Sequence, residues 1–457
     1  MSTLMRRMLS LYLKRHGRAA LQDLRRSQWL DPEAHELQRR QRVGRLLCRA
    51  SSHVPYFRQR LNLNELVDAQ GLVKWEAFRR LPILDKDEIR AHWEEFQAEG
   101  NPGGARYQNY SGGSSGEPLR FVQDAAYRCY NGAVKQLVDE WGGIHPGDRI
   151  YKVWGSMRDH SPVDGSLKSR LASWAQNTHW VDPFTYFTQS EMEALLADYN
   201  HQKADQLMGY TEFVLDIAKT ARAAGHALHK PRSIMTTATT LTDDMRTVLA
   251  TTFGAPVFNR YGSREMGDMA CDCEAHEGLH VMTPSHHVEI LDDAGRTLPP
   301  GERGYLVVTC LTNLSMPFIR YRIGDLASWT GKPCRCGRPW PLLAGVDGRT
   351  ADFFYAADGS KFYPGVIHAA FFYRDWIKRF QAVQEALDHV VVSILPRPGQ
   401  EPEAARLQEE LKEIRASLEG MLGTEIRLDV VLVDDIPPSP SGKFAHLVSK
   451  VAPPTQE

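Results

Sequence analysis

Tyr110-Ser-Gly-Gly-Ser-Ser-Gly-Glu-Pro118 places three glycines and three serines in nine residues. The segments on either side, Arg106 to Asn109 and Leu119 to Val122, read as strands. Glycine lets the backbone take positive φ and come close to a ligand, so several N–H groups can converge on one anion. Serine hydroxyls add donors, and such a cradle suits a polyphosphate. A flexible Gly/Ser connector has the same composition, and the loop alone does not separate the two. A Walker A motif is excluded. Glu117 stands where its lysine would be, and a strand follows where it needs a helix.

The 457 residues exceed what one core usually serves, so at least two domains are expected. Hydrophobic content of 42%, charged content of 24% and a net charge of −1 are ordinary for a soluble protein and point to no nucleic-acid partner. No apolar run is long enough for a transmembrane helix, and Met8 to Leu13 is too short for a signal peptide. The expectation is a soluble cytoplasmic protein. Seven cysteines fit that compartment: Cys48, Cys129 and Cys310 are scattered, while Cys271/Cys273 and Cys334/Cys336 form close pairs that suggest metal over disulfide.

The first sixty residues read as helices, with Arg39, Arg40, Arg42, Arg45 and Arg49 interleaved with apolar residues. A solvated helix face packed on the body is favoured over a membrane-touching one. Asp85 is a plausible N-cap, with Glu88 three residues on. Beyond the loop, Asp124 to Trp141, Ser190 to Asn200, Thr211 to Ala224 and Thr242 to Phe253 read as helices. Between them Arg149 to Trp154, Gln206 to Tyr210, Ser233 to Thr240 and Val257 to Asn259 read as strands. That alternation argues for an α/β core. A β-rich stretch follows (His287 to Leu291, Gly304 to Leu311, Leu326 to Thr330), and the pattern changes near Gly348-Arg349. The expected organisation is a large α/β domain over 1–348, whose first hundred residues are mostly a helical lead-in, and a small α+β domain over 349–457 with a helix at Glu403 to Leu422 and a last strand at Arg427 to Val433.

Asn259-Arg-Tyr-Gly-Ser-Arg-Glu265 combines an aromatic, a glycine turn and a carboxylate, a set that can stack a base and hold a cation beside phosphate; read alone it is also a surface turn. Arg320-Tyr-Arg-Ile-Gly-Asp325 and Ser439-Pro-Ser-Gly-Lys443 are equally plain in isolation, a turn and a basic tail. Their order is what matters. The Gly/Ser loop resembles, position by position at Ser111, Gly112, Gly113, Ser114, Ser115, Gly116 and Pro118, the phosphate loop of the adenylate-forming ligases. Tyr261-Gly262-x-x-Glu265 and Gly324-Asp325 resemble that superfamily's later motifs. By that resemblance Tyr261 packs on adenine, Glu265 helps hold Mg²⁺, and Met235 to Thr240, with Ala238 and Thr239, forms the adenine wall beside Asn259. Thr239 stands where the family has an acidic residue. Asp325 accepts from the ribose hydroxyls, a role carboxylates fill in other nucleotide sites. Arg349 reaches nucleotide oxygens at the start of a hinge. Lys443 resembles the mobile C-terminal lysine, a compact cation placed between the attacking carboxylate and the α-phosphate.

Cys271-Asp-Cys273-Glu-Ala-His276-Glu-Gly-Leu-His280 and Cys334-Arg-Cys336-Gly-Arg338 offer thiolates and imidazoles that suit tetrahedral Zn²⁺. The second segment resembles the phenylacetate–CoA ligase branch, which includes CapK-type proteins. Cys273, His280, Cys334 and Cys336 are the first choice of ligands for a structural zinc, with Cys271 and His276 as alternates. Trp154, Met157 and Arg158 fall where the family builds part of its acyl pocket. The resemblance implies ATP- and Mg²⁺-dependent activation of a small carboxylic acid as an acyl-adenylate, then transfer to a thiol, coenzyme A first among acceptors. It leaves open transfer to an amine, alcohol or carrier protein in polymer or natural-product assembly, an idle nucleotide-binding homologue, and association as a homodimer.

Overall fold

The computed structural model describes Met8 and residues 17–111, 119–154, 174–182, 189–349, 354–355, 361–362, 371, 374, 376–397, 402–422, 426–436 and 446–451. The helical lead-in comprises Arg18–Ser27, Pro32–His53 and four short helices. Asp31 caps the long one by accepting the Ala34 N–H at 2.8 Å, and Pro32 fits its first turn, where no N–H is needed. Two of its arginines turn to the protein and two to solvent: Arg40 pairs with Asp68, Arg42 pairs with Asp23 and donates to the Pro284 carbonyl, and Arg45 and Arg49 are exposed. Asp85 caps Lys86–Ala91 by accepting the Glu88 N–H at 2.8 Å, as its spacing predicts.

β1 (Arg106–Tyr110) and β2 (Arg120–Asp124) pair antiparallel from Arg106↔Asp124 to Tyr110↔Arg120. Ser111 and Leu119 extend this pair: the Ser111 N–H donates to the Leu119 carbonyl (2.9 Å), and Ser111 Oγ accepts the Leu119 N–H (2.8 Å).

Five strands then run parallel with crossover helices: β3 (Ile150–Val153), β4 (Thr178–Val181), β5 (Gln206–Tyr210), β6 (Ser233–Thr237) and β7 (Val257–Ser263). β5 and β6 are buried along their whole length, as strands covered on both faces must be. Antiparallel strands continue the sheet: β8 (Gly267–Asp272), β9 (Leu279–Val281), β10 (His286–Leu291), β11 (Gly304–Cys310), β12 (Tyr321–Trp329) and β13 (Leu342–Arg349). The eleven strands stand in the order β10-β11-β12-β13-β9-β8-β7-β6-β5-β3-β4.

Two segments differ from the sequence reading. The stretch at 259–265 is the end of β7 and its turn into β8, and Gly324-Asp325 lies inside β12, which begins five residues before Leu326. Gly324 holds φ +94 and the pairing slips between Asp325 and Ala327, so a bulge replaces the expected turn.

Past β14 (Phe354–Tyr355) and β15 (Lys361–Phe362), a second sheet contains β16 (Ile377–Ala386), β17 (His389–Pro396), β18 (Arg427–Leu432) and β19 (Leu447–Ser449) in the order β18-β17-β16-β19. The helix Ala404–Leu422 covers it through Ile414 and Leu418. β19 follows the strand expected to be last; three residues are too few to show a period. No helix among the described residues is long and apolar enough to cross a membrane.

Candidate functional site

The parallel strands end on one side, and β3 has β4 on one flank and β5 on the other. A crevice outside strand C-termini at such a switch point is where open α/β sheets take ligands. Thr237, the last residue of β6, leads into Ala238, which holds φ +80. That strain costs an alanine on the order of 1–2 kcal/mol and is held by its surroundings. Thr211 Oγ1 donates to the carbonyls of Thr237 and Thr239 (3.2 Å each), and Thr240 Oγ1 donates to the Val346 carbonyl (2.9 Å). Thr239 Oγ1 is buried with no hydrogen-bond partner among the described residues, which fits a wall that a ligand completes.

β7 lies beside β6, and the Asn259 N–H donates to Asp272 Oδ1 (2.7 Å). Two residues on, Tyr261 Oη donates to Asp325 Oδ2 at 2.5 Å, joining two of the sequence-selected residues across the sheet. Gly262 has to be glycine: a Cβ there would sit 2.6 Å from the Gly267 carbonyl. Glu265 is buried, and the hairpin is tied to it by Gln123, whose Nε2 donates to the carbonyls of Arg264 (2.8 Å) and Glu265 (3.4 Å). Asp325 is opposite Arg349 in the β12–β13 register. Thus Ser111, Ala238, Thr239, Asn259, Tyr261, Gly262, Glu265, Asp325 and the Arg349 backbone belong to adjoining elements. Gly112, Gly113, Ser114, Ser115, Gly116, Met157, Arg158 and Lys443 lie outside the described residues. On the far side of β5, Trp154 follows β3 and meets Tyr210 with ring centroids 4.7 Å apart.

A second cluster lies where β8, β9 and the β12–β13 turn meet. The ligand atoms of Cys273, His280, Cys334 and Cys336 all fall within 4.8 Å of one another. Cys273 Sγ is 3.6 Å from Cys334 Sγ, and Cys336 Sγ is 3.3 Å from His280 Nε2. A tetrahedron with metal–sulfur bonds of about 2.3 Å has edges of about 3.8 Å, so the donors fit zinc with slight expansion. His280 Nδ1 is 2.9 Å from the Trp340 carbonyl, which only accepts, so Nδ1 carries the proton and Nε2 offers its lone pair to the cluster. Burial also holds the His280 imidazole below its ordinary pKa, keeping it neutral. Burial pushes the Cys273 and Cys334 thiols up. At Cys336 burial is opposed and outweighed by the Arg338 N–H and guanidinium, and the thiol is held down.

The two alternates lie elsewhere. Cys271 is in β8, in one buried cluster with Met235, Phe258, Met282 and Trp340. His276 Nδ1 is 3.2 Å from Asp272 Oδ2, a carboxylate that also pairs with Arg246. Sequence reasoning gave no role to Gln123 or to Arg338. Arg338 pairs with Glu274 (2.9 Å), donates to Gln28 Oε1 and lies over the rings of Trp29 and Trp141, clamping the cluster to the first helix. Arg338 was visible in Cys-x-Cys-Gly-Arg; nothing in the sequence marks Gln123.

Residues 354–450 match the CapK C-terminal domain family. The phenylacetate–coenzyme A ligase of Thermus thermophilus is 24% identical over 410 residues, 86% of this chain and 85% of the relative. Protein CapK of Staphylococcus aureus is 23% identical over 378 residues, 81% of this chain and 80% of the relative. Over most of its length the chain is thus similar to phenylacetate–CoA ligases and to CapK, and its C-terminal part matches the CapK C-terminal domain family. The fold agrees: 2-hydroxyisobutyryl-CoA ligase in its postadenylation state with 2-HIB-AMP superimposes with a TM-score of 0.73 at 20% identity, over 93% of this chain and 91% of that one. In its thioesterification state the same ligase gives 0.58 at 21% identity over the same shares. The crevice at the ends of β6 and β7 and the Trp154–Tyr210 contact lie at different places along the ends of the parallel strands.

Proposed function

We propose that the protein is an AMP-forming acid–thiol ligase. ATP and a carboxylic acid give an acyl-adenylate and pyrophosphate, and a thiol, coenzyme A first among candidates, then displaces AMP. The observation that carries this reading is the Tyr261–Asp325 contact, with Arg349 opposite Asp325 in register and Gln123 holding the hairpin against Arg264 and Glu265. In this reading Tyr261 stacks on adenine, Asp325 accepts from the ribose hydroxyls, and the Ser111–Gly116 tip holds phosphate oxygens. Glu265 would hold Mg²⁺. Lys443 would stabilise the charge shared by the attacking carboxylate and the α-phosphate. Trp154, with Met157 and Arg158, would face the acid. Cys273, His280, Cys334 and Cys336 would hold a structural zinc, since four protein ligands leave no open position for catalysis.

The division into 1–348 and a mobile 349–457 is part of the proposal. The better superposition on the postadenylation state supports an arrangement suited to the first half-reaction. Pyrophosphate exchange into ATP, with Mg²⁺ and a panel of aryl, acyl and amino acids, tests the reading. Exchange driven by one acid supports it and names the substrate class; no exchange with any acid, in protein that binds ATP, sinks it. The CapK match favours a second reading of the acceptor alone, an amine, alcohol or carrier thiol in place of coenzyme A. Offering each acceptor to the preformed adenylate decides between them.

A further inference from the structure

The helix Thr211–Ala223 begins directly after β5 and turns one face to the second sheet. Glu212 and Asp216, four residues apart and so on one face, make ion pairs there. Glu212 Oε1 lies 2.7 Å from His446 Nε2, and Asp216 Oδ1 lies 2.8 Å from Arg397 Nη2. None of these four side chains is more than 21% exposed, so water screens the pairs less than it would at the surface. The Arg379 guanidinium lies 5.5 Å from the Phe213 ring centroid, and Phe213, Lys219, Phe371, Lys378 and Phe380 help line a small open cleft between the pairs.

The chemistry of His446 is fixed by its neighbours. Nδ1 is 2.9 Å from the Phe380 carbonyl, and Nε2 faces the Glu212 carboxylate. The Phe380 carbonyl only accepts, so Nδ1 carries a proton, and the carboxylate 2.7 Å from Nε2 favours the imidazolium form. Burial works against the charge, but Glu212 outweighs it and holds the pKa above the ordinary histidine value. Lys443 is three residues before His446, so with the chain at most about 3.6 Å per residue its Cα stays within about 11 Å of the anchored His446 Cα.

We propose that Glu212 and Asp216 are positioning residues for adenylation: they dock the C-terminal region through His446 and Arg397 and so set the reach of Lys443. This rests on the ligase reading above. Ion pairs join the two surfaces, and Phe213 and Phe380 belong to separate cores, so the contact can release without repacking either, as a domain that serves two half-reactions requires.

The test compares wild type with Glu212→Gln, Asp216→Asn and the double variant in both half-reactions, with small-angle scattering of each. Each single change is expected to lower acid-driven pyrophosphate exchange by about tenfold, as loss of one covered pair shifts a docking equilibrium. Thioester formation from a supplied acyl-adenylate should be unchanged or faster. Exchanging the partners, Asp216→Arg with Arg397→Asp, should restore part of the exchange. Equal loss in both half-reactions would mean a merely structural role and overturn the proposal, as would exchange unchanged in the double variant. If wild type exchanges with no acid, the ligase reading falls, and scattering alone judges the docking. An expanded double variant supports it, and an unchanged curve overturns it.

Discussion

Replacing Cys334 by serine tests whether the four-residue cluster holds metal. His280 and Cys334 lie 54 positions apart, and their link through a metal ion restrains the unfolded chain as a crosslink does. Closing a loop of that length is worth about 4 kcal/mol by the chain-entropy relation. A domain of roughly 330 residues unfolds with an entropy of about 0.7 kcal/mol per degree, so the loss should lower Tm by about 6 °C. The buried thiols add in the same direction, because Cys273 and Cys334 are pushed toward the neutral form without a cation. The assay is metal content by mass spectrometry beside thermal unfolding, with and without a strong chelator. Wild type should carry about one zinc per chain and lose about 6 °C on chelation; Cys334→Ser should carry none and show no further loss. Cys271→Ala should keep its metal, since Cys271 packs with Met235 and Trp340. Full metal in Cys334→Ser, or loss in Cys271→Ala alone, would refute the assignment. So would wild type that carries none and ignores chelator.

Four further outcomes are expected. Lys443→Ala should slow adenylation about 10²–10³-fold or more, as when a main oxyanion-type contact is removed, and leave thioester formation from supplied adenylate intact; unchanged pyrophosphate exchange would disprove its role. Tyr261→Phe deletes the O–H that donates to Asp325 and should weaken ATP binding by about tenfold, about 1–2 kcal/mol, measured calorimetrically, with kcat less affected. Because the His446 pKa is raised, the Glu212 pair is fully present below the ordinary value of 6.5 and is lost as pH climbs through the raised one. The ratio of adenylation to thioester formation should therefore fall with rising pH over that window in wild type, and Glu212→Gln should flatten the fall. Arg320 is buried, with Glu289 at 2.9 Å and the Arg79 carbonyl at 2.6 Å, so Arg320→Ala leaves a carboxylate stranded and should cost about 3–5 kcal/mol in denaturant unfolding.

What the sequence made legible follows the range over which each cause acts. Asp85 caps its helix through a bond three residues long, so local reading finds it. Fully buried β5 and β6 announce themselves by composition. The strands on either side of the Gly/Ser stretch were legible, but that they pair with each other depends on the register of Tyr110 with Arg120. Asp325 was found by motif and misplaced locally: a Gly-Asp pair reads as a turn, yet Gly324 at φ +94 serves a bulge inside β12, which sets Asp325 against Arg349 and within reach of Tyr261. The choice among six metal candidates was of the same kind. Spacing cannot separate Cys271 from Cys273; position on β8 does, one side chain held in the sheet's core and the other released into the turn after it.

Glu212, Asp216, Arg397 and His446 mark the limit of such reading. Each is an ordinary charged residue in its own segment, and Arg397 is 181 positions from Asp216. No period or motif joins them, because they meet only where the helix after β5 faces the second sheet. Residues that choose between arrangements need not pattern any single element. A core side chain is selected by every neighbour around it, and its type repeats with the helix or strand that carries it. A docking pair answers to one partner, and only while docked. The candidate site is thus marked by local motifs, whereas contacts such as His446–Glu212 become visible only when the second sheet is set against the helix after β5.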